Sequence, residues 1–161
     1  MKKLKTVLVL FFLTFAITST AEPNLILGEN IKVGMNLNEV FKLLGPPDTL
    51  LTNRGTGKDS DSIALKYAGV GLLLHVISGT NKIEVVEALK EFKGKLASGL
   101  TLGGDYKTLF ETYGLPKSFS SNIAKYPDLG MQFLIINEHV FSATLFNKTS
   151  KHLLVRQITS K

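Results

Sequence analysis

One pattern occurs twice in this chain. Residues 31–47 (IKVGMNLNEVFKLLGPP) and 100–116 (LTLGGDYKTLFETYGLP) align without a gap at an offset of 69, with identity at Gly34 and Gly103, Phe41 and Phe110, Gly45 and Gly114, and Pro47 and Pro116. The stretches downstream correspond as well: YAGVGLLLHVI starts at Tyr67 and YPDLGMQFLII at Tyr126, each with a glycine four residues on. The second offset is 59, so the first copy carries ten extra residues in the loop before its tyrosine. Internal self-similarity fixes architecture before any local reading is made; here it predicts two diverged copies of one unit.

Each copy opens on a short helix. Asn36 is a good N-cap and Glu39, three residues on, completes a capping box in which both residues satisfy exposed backbone N–H groups. Leu37, Val40, Phe41 and Leu44 then recur at helical spacing as one apolar face. Gly45 suits the left-handed position after a helix, and Pro46 and Pro47 forbid continuation. In the second copy Asp105 is the cap, Tyr106, Leu109, Phe110 and Tyr113 make the face, and Gly114 ends it. Helices this short are not stable alone, so each must lie on a sheet.

Strands are expected at 48–52, 62–67, 71–77 and 82–91 in the first copy, and at 118–125, 130–136, 139–147 and 152–159 in the second. SGTN (78–81) and Asn137-Glu138 break these runs as hairpin turns do, and sequential strands joined by tight turns pair antiparallel. Alternation in the third strand of the second copy turns Phe141, Ala143 and Leu145 inward and Ser142 and Thr144 to water, with Phe146 on the outer set. The expected class is α+β, each unit a short helix followed by about four antiparallel strands. The two could share one eight-stranded sheet or hold two.

The chain begins MKKLKTVLVLFFLTFAITSTAEPN. Lysines at 2, 3 and 5, an apolar run at 7–17 and small residues Ser19 and Ala21 compose a secretory leader cut after Ala21. The run is too short to span a bilayer, so no stable span remains after cleavage, and with no cysteine no thioether-linked lipid can be attached. The expected layout is a leader at 1–21, an extension at 22–30, and repeat units at 31–95 and 96–161, in the periplasm or secreted. Three of the 19 basic residues lie in the leader, which has no acid, so the formal +6 falls to +3 in the mature chain. The remaining lysines are scattered, without the basic face nucleic acid requires. Without disulfides the mature chain holds together by burial alone, which its length allows.

An apolar residue, x-x-Gly, a capped short helix, Gly-x-Pro, then Tyr and a Gly-led strand together resemble the superfamily of the β-lactamase inhibitor protein and the outer-membrane assembly lipoproteins of the BamE/SmpA type. The residues that carry the resemblance are Ile31, Gly34, Val40, Gly45 and Pro47, and Leu100, Gly103, Leu109, Gly114 and Pro116. It implies a tandem fold of that type and action through binding other proteins. The chain departs from the lipoproteins in its duplication and lack of the lipid-bearing cysteine, and from the inhibitor in having no disulfides.

Chemistry-bearing residues are sparse. His75, His139 and His152 read as sheet-edge or turn residues, lacking metal-ligand spacing. No G-x-S-x-G segment supports serine catalysis. In RGTGKDSDS (54–62), Gly57-Lys58 lacks the first glycine and following hydroxyl of a phosphate loop. Asp59 and Asp61 lack the later ligands of a calcium loop. Neither cofactor nor metal is expected. Because the two copies differ most in this loop, and binding function concentrates on such loops, Arg54, Lys58, Asp59 and Asp61, with Tyr67 and Tyr126, are the candidate contact residues for an envelope or secreted protein partner. The tyrosines also have a structural reading, anchoring each strand start to its own helix. The expected function is non-enzymatic protein binding or inhibition; the alternatives are a small-ligand carrier with an apolar cavity and a small hydrolase.

Overall fold

Asn36 and Asp105 each begin a helix, α1 (Leu37–Leu44) and α2 (Tyr106–Tyr113), in a computed structural model that describes residues 24–54, 61–77 and 79–150. The expected leader, Lys58, Asp59, His152 and the strand expected at 152–159 lie outside those residues. At α1 the capping box forms as expected: Asn36 Oδ1 accepts from the Asn38 N–H at 2.9 Å and Glu39 reaches back to the Asn36 N–H. At α2, Asp105 accepts from the Lys107 N–H at 2.7 Å. Gly45 and Gly114 end the helices at φ 74° and 77° but with ψ of −164° and −172°. That is not the left-handed helical geometry expected of them but an extended region that only glycine enters readily.

The strands are β1 (Ile26–Leu27), β2 (Thr49–Asn53), β3 (Ser62–Tyr67), β4 (Leu72–Ile77), β5 (Ile83–Ala88), β6 (Lys95–Leu96), β7 (Ser118–Ser120), β8 (Ile123–Tyr126), β9 (Met131–Ile136) and β10 (His139–Phe146). Eight of them form one antiparallel sheet in the order β2-β3-β4-β5-β10-β9-β8-β7. The choice the sequence left open is therefore resolved in favour of a single sheet, closed at its centre by β5 and β10, where Ala88 faces Ala143 and Val86 faces Leu145. The segment expected as one strand at 118–125 is instead the hairpin β7–β8. Ser121 and Asn122 both take positive φ, the geometry of a two-residue turn whose twist matches the flanking strands.

Within the expected extension, two of the described residues enter the core. Leu25 and Leu27 are buried, and β1 pairs in parallel with β6, Ile26 facing Lys95. The boundary expected between 95 and 96 falls inside β6.

Both helices lie on one face of the sheet. Val40 and Leu109, fully buried, share one buried cluster with Leu65, Leu74, Val86, Phe133, Val140 and Leu145. Their starts are pinned to hairpin turns in matching ways: the Leu37 N–H donates to the Asn81 carbonyl and the Tyr106 N–H to that of Glu138. Ala143 and Leu145 face inward as expected, but a bulge between Val140 and Ser142 breaks the alternation before them. Phe141 is turned out, Val140 takes the inward place, and Thr144 is buried at the sheet centre rather than facing water. Phe146, on the face away from the helices, is only 2% exposed. No helix among the described residues is long and apolar enough to cross a membrane.

Candidate functional site

The residues singled out from the sequence do not converge. Arg54 and Asp61 bound the loop at one end of the β2–β3 hairpin, Tyr67 closes the other end of β3, and Tyr126 lies in β8, five strands away in the sheet. Both tyrosines are buried, so neither offers a contact surface. The Tyr67 hydroxyl donates to the Gly45 carbonyl at 3.1 Å and the Tyr126 hydroxyl to the Gly114 carbonyl at 2.8 Å. Each thus satisfies a carbonyl left over where its own helix ends, the anchoring role that was the structural reading.

Burial, with the nearby Asp48 carboxylate adding to it, pushes the Tyr67 phenol above its ordinary value of 10.0. Burial, then Tyr113, does the same for Tyr126. A phenol that holds its proton longer when folded contributes stability that is complete below pH 10 and is lost as pH rises through the folded values. The melting temperature is therefore expected to fall on alkaline titration together with the rise of tyrosinate absorbance. The double variant Tyr67→Phe, Tyr126→Phe, less stable at neutral pH, should lose much of that dependence.

His75 is in a central strand rather than at an edge or turn. Its Nε2 lies 2.6 Å from Glu87 Oε1, on the face away from the helices, and the ring is buried. His139 begins β10 and bridges to Asp105. Among the described residues no group of three or more His, Cys, Asp or Glu comes together in a way that could hold a metal.

The feature that does stand open is a groove of about 550 Å³ at the α2 end of the molecule. One wall is a file of rings: Tyr106 and Phe110, successive on α2, meet edge to face with centroids 5.3 Å apart, and Phe110 meets Phe119 of β7 at 6.5 Å. Leu115 and Pro116, which leave the helix, continue it. Ile135 contributes to the lining, and the polar rim comes from the turns: Asn122 between β7 and β8, Asn137 and Glu138 between β9 and β10.

Why the groove is open follows from the chain. Gly114 and Pro116 throw the backbone off α2 before Leu115 can pack, leaving it 83% exposed. Among the described residues β7 is the sheet edge, and Phe119 on it is 55% exposed. The segment 69 residues earlier presents Leu37, Phe41, Pro46, Pro47 and Leu50 at the aligned positions, and Asn81 accepts from the start of α1 as Glu138 does from that of α2. The sequence reading placed Tyr106 and Phe110 on the buried helix face and missed the groove. Two aromatics at i and i+4 beside a second apolar pair make a face wider than a short helix can bury, and that width was the one signal present. Comparison with known protein families, with curated proteins and with solved structures found no match.

Proposed function

We propose that this chain is a non-enzymatic protein-binding module of the bacterial envelope, exported by its leader to the periplasm or beyond, needing no cofactor. We further propose that it uses one helix-plus-sheet unit twice, in the manner of the superfamily it resembles. Support for duplication comes from paired details: the Tyr67–Gly45 and Tyr126–Gly114 hydrogen bonds, and the Gly34 and Gly103 N–H groups donating to Ile83 and Val140.

The observation that carries the binding reading is the open aromatic groove beside the edge strand β7. Leu115 and Phe119 leave large apolar side chains exposed at the groove, and rings that present large rigid faces are favoured contact residues. A carrier would enclose its ligand, whereas this groove opens to solvent. Burial of His75 inside the sheet keeps substrate from the imidazole that Glu87 holds, which disfavours a hydrolase. Arg54 and Asp61 flank β2 and β3 at the other edge of the sheet, β2 lying seven strand spacings from β7, roughly 34 Å measured along the sheet.

Capture from envelope extract separates the two surfaces. Leu115→Ser with Phe119→Ser, both exposed and so tolerable to the fold, should reduce recovery of the partner by about tenfold or more, as central contact residues do. Removal of residues 55–60 should leave it unchanged. Equal recovery by the groove variant and the unaltered protein would overturn the groove as the contact site.

A further inference from the structure

Resting on the reading of the groove as a contact site, we infer that its ligand is an extended peptide segment carrying a lysine or arginine beside an apolar side chain, and that Glu138 reads the positive charge. Three observations lead there. First, the groove is walled by Tyr106, Phe110 and Phe119, and among the residues that line it Glu138 is the one that carries a charge. The mature chain has 16 lysines and arginines against 13 acids, and on this wall of rings the one charge is negative. Aromatic faces attract cations through their quadrupole, and a carboxylate at the end of such a wall fixes where the charge sits.

Second, Glu138 is held at a backbone cost. Asn137 and Glu138 form the two-residue turn with φ of 49° and 68°. Both central positions of such a turn call for positive φ, and asparagine followed by glycine is the sequence that adopts it most readily. Glutamate in that conformation is strained. A side chain kept where glycine folds better points to something the carboxylate does. Third, the matching turn of the first unit has Gly79 at φ 82° and places Asn81, not an acid, where Glu138 sits relative to the helix start. That unit also has leucine at the positions of Tyr106 and Phe119, keeping only the ring of Phe41. The acid therefore accompanies the full file of rings and is missing where the file is broken.

The edge strand sets the form of the ligand. Among the described residues β7 has a neighbour only in β8, so its outer side offers backbone donors and acceptors to an added strand. Asn122 and Asn137 at the rim carry amides able to pair with a peptide backbone.

The test uses the purified protein and three capped tripeptides, acetyl-Phe-Lys-Phe-amide and its norleucine and glutamate counterparts, titrated by NMR with shifts read at the groove. The lysine peptide should bind about tenfold more tightly than the norleucine one, a preference typical of a partly desolvated cation on aromatic faces, and the glutamate peptide more weakly than either. Glu138→Gln should abolish the difference between lysine and norleucine. Glu138→Gly should do the same and raise the melting temperature by a few degrees. Equal affinity for lysine and norleucine would overturn the charge reading and leave the groove itself standing, since the Leu115 and Phe119 capture experiment decides that separately. Groove shifts with none of the three peptides would overturn the inference, and no gain in melting temperature from Glu138→Gly would remove its second support.

Discussion

Replacing Gly71 by alanine should cost about 3–5 kcal/mol of folding stability, the sum of a left-handed backbone forced on an L-residue and a collision that cannot relax. Gly71 follows the single helical turn Ala68–Val70 at φ 71° and ψ 37°. A Cβ there would land on the backbone nitrogen of Phe92, with the Glu91 carbonyl carbon 2.6 Å away. Both atoms belong to the main chain that leaves β5, so no rotamer change makes room. Gly130, at φ 69°, repeats the situation more mildly, its Cβ meeting the Phe146 oxygen at 2.7 Å. Denaturant unfolding should rank Gly71→Ala as worse than Gly130→Ala. Gly69→Ala, where nothing lies within 4 Å of the added carbon and φ is not positive, should be close to neutral. A mild effect at Gly71 would mean that the β5 exit can move away from that turn at little cost.

Phe133→Ala should cost a comparable 3–5 kcal/mol. Phe133 is 0% exposed in β9, stacked on Tyr113 at 5.8 Å and edge-on to Tyr126 at 5.8 Å. Removing it empties the space under α2 and frees two rings at once, one of which holds the Gly114 carbonyl. On the α1 side of the sheet Leu74 of β4 is equally buried but is an aliphatic side chain that cannot stack. Leu74→Ala should be less damaging by about 0.5–1.5 kcal/mol, the added worth of aromatic pairing. Matched urea melts of the two variants check both the magnitude and the order.

What could be read from the sequence was whatever is decided locally. The cap at Asn36, the stop at Gly45 and the strand that begins after Gly130 depend on neighbours a few residues away, and they stand where the pattern put them. The hairpin hidden in 118–125 does not show in the sequence because serine seldom takes the positive φ that Ser121 has here, so only Asn122 signals that kind of turn. The bulge at Phe141 was missed because alternation assumes a regular pleat, and one extra residue reverses the faces of everything before it. Leu25 and Leu27 looked like a tail because a two-residue strand has no pattern of its own; its partner β6 lies far along the chain. The candidate site fared worse than the fold. Tyr67 and Tyr126 stand out in the sequence as a pair, yet their pairing reflects a shared structural task. Glu138 matters through a groove that exists only once α2, β7 and the β9–β10 turn are assembled.

The joining of β5 to β10 bears on how the protein is made. Delivered N-terminus first, from a ribosome or an export channel, β5 appears well before β10, with α2 and four other strands between them, so for a time the first half ends in a bare strand rich in valine and isoleucine. Until its own partner arrives, that strand is competent to pair with the same segment of another nascent chain, and a holding chaperone that shields it would raise the yield of monomer.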